Sequence, residues 1–222
     1  ALASVTFTRF RLLPGDEASC LNLYRPQRPR LLGAPESFLR ENRFVFADTL
    51  ATTDAERANP WLLLDREPDD GAVPAIVDAN SLAYVLHHRL GEVMEVDRGG
   101  SPPLKLRFVG ALKDSLFQGE LIVSERRFLD AFPDDPGYRF FLLDVPAAQA
   151  AQTSGVLESR LERFGLDLSS APERLDRFHR VENAYLSTFQ TLGALGLLLG
   201  TIGLAAVLLR NALERRRELA LL

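Results

Sequence analysis

Hydrophobic positions follow two regimes along the chain. From Asn183 to Leu209 there is no Asp, Glu, Lys or Arg, whereas the residues before it interleave apolar positions with dense charge. An uncharged run of 27 residues predicts a helix of about 40 Å at ~1.5 Å rise per residue, against a hydrocarbon core of ~30 Å. Eleven of the residues from Phe189 to Leu209 are Phe, Leu, Ile or Val. At roughly -0.3 to -0.6 kcal/mol each they favour insertion by about 3 to 7 kcal/mol, before the glycines subtract. A transmembrane helix is therefore expected, and eleven such side chains are too many for a chain of this size to wrap on every side.

Helical spacing continues upstream of the run. Ser170 and Glu173 stand at capping-box spacing with Pro172 in the first turn, and Leu175, Phe178, Val181, Tyr185 and Phe189 follow at helical intervals. One stalk helix is thus expected from about residue 171 into the apolar run, with Arg174, Asp176, Arg177, His179 and Arg180 on its wet face.

Before residue 170 the pattern predicts a mixed α+β domain. Leu104, Leu106 and Phe108 alternate with Lys105 and Arg107 and predict a half-buried strand, paired through a turn at Arg98, Gly99 and Gly100 with a shorter strand from Val93 to Val96. Asn80 or Ser81 is expected to cap a helix through Leu90 that ends at Gly91, and Ser124 another that stops at Pro133. Tyr138 to Val145 is an apolar run broken by Arg139 and Asp144; after it Pro146 opens a helix whose Ala150, Leu157, Leu161 and Phe164 share a face before Gly165. In the first 75 residues, Val5, Phe7, Phe10 and Leu12 predict a strand with a bulge, Pro14 to Asp16 a turn, and Cys20 to Tyr24 a second strand. Arg25 to Pro35, with three prolines, is expected to be an irregular loop, and Glu36 to Asn42 a short helix. The domain plan is then 1-75 and 76-170 as two parts of one outer domain divided near Arg66 to Gly71, 171-209 as stalk and membrane helix, and 210-222 as the start of a charged end.

Charge sharpens this plan. The chain carries 26 basic and 30 acidic residues for a net of -4, and the excess acid lies before the apolar run. That is no footprint for nucleic acid. Arg210, Arg215, Arg216 and Arg217 crowd the C-terminal flank against Glu214 and Glu218, so the positive-inside rule places that end in the cytoplasm and residues 1 to 180 outside. Within the run, Gly193, Gly196, Gly200 and Gly203 recur every three or four residues and form one stripe, where a second helix can approach to backbone contact.

Catalytic chemistry is not indicated. His87 and His88 are adjacent on a predicted helix and diverge by about 100 degrees, so they cannot share a metal, and Cys20 stands alone. Asp69 with Asp70 and Asp134 with Asp135 read as solvated turns, and the Arg25, Arg28 and Arg30 group as a soluble surface with a lesser chance of binding an anion. No nucleophile elbow, phosphate-cradling Gly loop or zinc helix occurs, so no cofactor is expected.

Residues 191 to 222, TLGALGLLLGTIGLAAVLLRNALERRRELALL, resemble the start of the membrane domain in FtsX-like, MacB-type ABC transporter permeases. The likeness lies in the Gly-rich apolar helix and the charged turn of Glu214, Arg215, Arg217 and Glu218; VPAIVDANSLAYVLHHRLGE is similar in order to the extracytoplasmic core of that family. The resemblance implies a non-catalytic permease subunit in the bacterial cytoplasmic membrane, with a further membrane helix before this domain and two after it. It also implies a cytoplasmic ATPase as partner, a second permease subunit alongside, surrounding membrane lipid and a role for a periplasmic partner protein. Residues 211 to 222 would then be the segment coupled to the ATPase. A chain that starts at Ala1 and stops within a charged amphipathic run is expected to be a piece of such a subunit. Two readings compete: a single-span receptor that senses a ligand outside and signals through residues 210 to 222, and a membrane-anchored hydrolase.

Overall fold

The structure, a computed structural model, describes residues 5–16, 28–67, 70–98 and 102–214, except for the side chains of 177–185. The chain divides into two compact units, Ala1–Leu175 and Asp176–Leu222.

The first unit is built on one mixed sheet. Its strands are β1 (Thr6–Leu13), β2 (Arg30–Ala34), β3 (Val45–Thr49), β4 (Val73–Asp78), β5 (Val93–Val96), β6 (Leu104–Lys113), β7 (Glu120–Ser124) and β8 (Tyr138–Asp144). They run in the order β3-β6-β4-β7-β2-β1-β8, with β5 pairing to β6 beside β3. The pairs β2–β7 and β4–β6 are parallel and the others antiparallel. Between and around the strands lie α1 (Glu36–Arg40), α2 (Asp54–Ala58), a 3-10 turn (Pro60–Asp65), a π turn (Ser81–Val85), α3 (Glu125–Ala131) and α4 (Ala150–Leu161). The α+β class expected from the pattern is thus the class found. Strands from both sides of Arg66 to Gly71 interleave in the one sheet, so that loop joins strands of a single unit.

Both faces of the middle strands are covered, and this sets their composition. Along β2, β4 and β7 successive side chains enter opposite cores: Leu31, Ala75, Val77, Leu121 and Val123 face one way, with Phe108 and Phe128, while Leu32, Ile76 and Ile122 face the other, with Phe10, Phe38, Trp61 and Phe117. The second core is aromatic. Phe38 stands edge-on to Trp61 at 4.9 Å and to Phe10 at 5.0 Å, and Trp61 donates its indole N–H to the carbonyl of Arg43 at 2.5 Å.

Several expectations meet this fold directly. Strand β1 shows its irregularity between Phe10 and Arg11, although the extra residue, Arg139, belongs to β8. With no extra residue in β1, its alternation runs unbroken from Thr6 to Phe10: Thr8 and Phe10 are buried and Phe7 is 45% exposed. Strands β5 and β6 pair from Val93↔Arg107 to Val96↔Leu104, while Gly99 and Gly100 of the expected turn lie outside the described residues, as do Cys20 to Tyr24. Helix α1 falls within Glu36 to Asn42.

Other expectations are corrected. The segment from Arg25 to Pro35 was expected as a loop, yet Arg30–Ala34 is β2, paired on both sides at the centre of the sheet. The prolines mark its ends, and the four apolar residues between Pro29 and Pro35 are a short fully buried strand. The helix expected through Leu90 is only a π turn ending at Val85. Its cap comes from the preceding strand, where Asp78 Oδ1 accepts the N–H groups of Asn80 at 3.0 Å and Ser81 at 3.3 Å, and His87 ends it in a left-handed conformation at φ 55°. Burial pushes the Asp78 carboxyl above its usual range, against those N–H donors. Ser124 precedes α3 as expected, without a side-chain cap. Helix α4 buries Thr153 and Leu157 and leaves Phe164 exposed, and Gly165 follows at φ 70°. Asp135 is no solvated turn: it is nearly buried and receives Arg11 at 2.9 Å, and Arg11 also binds Glu125 of α3 at 2.9 Å.

Candidate functional site

The feature that most distinguishes this chain is α5 (Ala171–Glu214), a helix of 44 residues. Its first turn is built as its sequence dictates. The Ser170 hydroxyl accepts the Glu173 N–H at 3.3 Å, and the Glu173 carboxylate reaches back to the Ser170 N–H at 3.4 Å, so the capping box is closed in both directions. Pro172 needs no donor in that turn.

The same turn is anchored to the sheet. Arg174 Nη2 donates to Glu120 Oε1 at 2.6 Å, and Arg30 Nη1 stands 3.6 Å from the same oxygen. Glu120 is the first residue of β7, opposite Arg30 in the parallel ladder, with a side chain only 2% exposed. A carboxylate so buried needs a charge-assisted donor, which Arg174 supplies, while Arg30 adds a second positive charge at ion-pair distance. Arg174 was expected on the wet face of the stalk; in the structure it points at Glu120 instead. The side chains of Arg177, His179 and Arg180 lie outside the described residues.

Farther along α5, Leu186–Glu214 is a stretch of 29 residues long and apolar enough to cross a membrane, and none of it is buried. Its apolar side chains point in every direction. Phe189 and Leu197 are 70% and 74% exposed, and Leu192, Leu199, Ile202 and Leu204 about as open. A helix apolar all round is covered either by protein or by lipid. Two hydroxyls within it are already satisfied: Thr191 donates to the Ser187 carbonyl at 2.7 Å and Thr201 to the Leu197 carbonyl at 2.6 Å. Those bonds remove most of the desolvation cost that a free hydroxyl brings into hydrocarbon. At the far end Arg210 pairs with Glu214 at 2.8 Å.

Gly193, Gly196, Gly200 and Gly203 lie on this stretch, and a methyl group added at any of them meets nothing within 4 Å. Of the four residues expected to couple to an ATPase, Glu214 is the one described; Arg215, Arg217 and Glu218 lie outside the described residues. Among the other sequence candidates, His88 binds Glu92 at 3.0 Å and lies with its ring 5.6 Å from Phe108, while His87 is exposed, so the two histidines serve separate surroundings. Arg28 is paired to Asp97 at 2.7 Å, and Arg25 lies outside the described residues. Asp70 accepts the Ala72 N–H and the Arg107 guanidinium, which in that order hold its carboxyl below its usual range. The site residue that sequence reasoning missed is Glu120, because its partner Arg174 is 54 positions away.

No family model and no curated protein matches the sequence. Among solved structures, the chain is similar to the extracellular domain of the noncanonic ABC-type transporter YknZ from Gram-positive bacteria. That match has 15% identity, 72% of this chain and 78% of that chain covered, and a TM-score of 0.40. It is also similar to the periplasmic region of MacB from Actinobacillus actinomycetemcomitans, with 12% identity, 71% and 68% covered, and a TM-score of 0.38.

Proposed function

We propose that this chain is part of a non-catalytic permease subunit of an FtsX-like, MacB-type ABC transporter. In this reading the mixed-sheet unit lies outside the cytoplasmic membrane, Leu186 to Leu209 crosses it, and residues 210-222 meet a cytoplasmic ATPase. The observation that carries it is the all-round exposure of the apolar helix. Lipid is the solvent in which that exposure is favourable. The resemblance of residues 191 to 222 to the membrane domain of that family supplies the class of machine, and the arginines beyond Leu209 supply its orientation.

In this reading, motion passes along α5. An ATPase-driven displacement at residues 210-222 acts on a helix that has no proline after Pro172. It arrives at a first turn held by the capping box and by the Arg174–Glu120 pair. The glycine stripe would pack against a second permease subunit or a further membrane helix of the same subunit.

The test is reconstitution of the full-length polypeptide with its ATPase in liposomes. Reversing charge at Arg215 and Arg217 should lower stimulation of ATP hydrolysis while leaving insertion intact. Unchanged stimulation in the doubly reversed protein would refute the coupling role.

A further inference from the structure

The two edges of the sheet are not alike. At one end β3 is five residues long, bulged between Phe46 and Asp48, and carries the exposed Asp48. Those are the devices by which natural sheets close an edge to further strands. At the other end β8 pairs with β1 on one side, and among the described residues no strand pairs with it on the other. Its bulge falls early, at Arg139, and leaves Phe140 to Asp144 regular. Tyr138, Phe140, Phe141, Leu142 and Leu143 make it apolar on both faces, without proline or lysine.

Chemistry beside this edge selects what would join it. In register with β8, β1 places Phe7 opposite Leu143 and Arg9 opposite Phe141. Phe141 is 37% exposed, so apolar surface remains uncovered there. Arg9 rests over the Tyr138 ring at 4.9 Å, and neither Arg9 nor Arg139 has a carboxylate partner among the described residues. The strand's own acid, Asp144, is taken by Arg43 at 2.7 and 2.9 Å. Cationic side chains thus flank an apolar edge on a chain whose net charge is -4.

We propose that the outer edge of β8 receives an extended segment of a partner protein by strand addition, a segment in which acidic side chains alternate with apolar ones. Main-chain bonds to Phe140–Asp144 hold it; its carboxylates lie on the face that carries Arg9 and Arg139, and its apolar side chains, on the opposite face, extend the core beside Phe140 and Leu142. A second copy of this chain fits less well. Antiparallel self-pairing about Phe141 sets Arg139 opposite Leu143, and the one carboxylate that β8 brings is already bound to Arg43.

The probe is a capped heptapeptide, Glu-Val-Glu-Ile-Glu-Val-Glu, compared with its lysine counterpart, each added at millimolar concentration to the full chain in dodecyl maltoside micelles. Amide hydrogen exchange over residues 138–144 is the readout. The acidic peptide should slow exchange there by about tenfold or more, the lysine peptide should not, and Arg139→Glu should swap the preference. Arg139 is exposed, so its replacement leaves the fold intact. Equal protection by both peptides, or by neither, overturns the proposal. So does slow exchange of these amides before any peptide is added, whether from a covered edge or from self-association.

Discussion

Replacing Arg174 with Met tests whether the root of α5 is fixed to the sheet by charge. Met keeps most of the aliphatic stem and removes the guanidinium that lies 2.6 Å from Glu120. Stripping one partner from a buried pair costs about 3 to 5 kcal/mol, because the remaining charge stays out of water. Two features reduce that here: the Arg174 side chain is 23% exposed, and Arg30 remains 3.6 Å away. The expected loss is therefore about 2 to 3 kcal/mol, or roughly 4 to 12 °C in Tm for a unit of this size. The assay is denaturant unfolding of the full chain in detergent, followed by the fluorescence of Trp61, the one tryptophan and fully buried. Adding Glu120→Gln to the Met variant removes the stranded charge and should restore part of the loss. A single-variant loss below about 0.5 kcal/mol, the range of a surface ion pair, would refute the reasoning. So would a double variant whose loss equals the sum of the two single losses.

Three further outcomes are expected. Glu56 accepts Arg66 twice at 2.6 Å and the N–H groups of Thr52 and Thr53 at 3.0 Å, which hold its carboxyl far below its usual 4.5. A lowered carboxyl stabilises the fold above its unfolded pKa and loses that contribution as pH falls, so Glu56→Gln should destabilise at neutral pH and converge on the parent in acid, as followed by urea unfolding across pH. Gly33→Ala places a methyl 2.9 Å from Phe128 of α3; a loss of about 1 to 3 kcal/mol in the same unfolding assay is expected from overpacking. Gly196→Leu with Gly200→Leu should lower the yield of subunit complexes isolated in mild detergent, whereas equal yields would remove the stripe from the account.

What the sequence disclosed and what it hid differ in range. Ser170 and Glu173 lie three residues apart, so the capping box was legible, and the β5–β6 ladder was legible because in the sequence an alternating run follows a shorter one across a pair of glycines. Strand β2 was hidden by the prolines at its ends and by its parallel pairing to β7, which lies 90 positions on from Arg30 at Glu120; such pairing leaves no local periodic mark. The helix expected from Asn80 to Leu90 stops short, with His87 in a left-handed backbone conformation two residues after Val85. The same limit hid the anchor of the site. Glu120 reads in isolation as a polar residue opening a strand, and only the fold brings Arg30 and Arg174 to it. The membrane helix, by contrast, was legible in full, because uncharged length is a one-dimensional property.

The central claim, that lipid surrounds Leu186 to Leu209, is tested most directly by thiol accessibility. In a Cys20→Ser background, cysteine replaces Leu197, which is 74% exposed and near the middle of the apolar stretch, and a water-soluble maleimide is added to intact membranes. The account expects no labelling of Leu197→Cys until detergent dissolves the bilayer, while Ser170→Cys labels from the outer side at once. Rapid labelling of Leu197→Cys in intact membranes, or recovery of the chain in the soluble fraction, would contradict it.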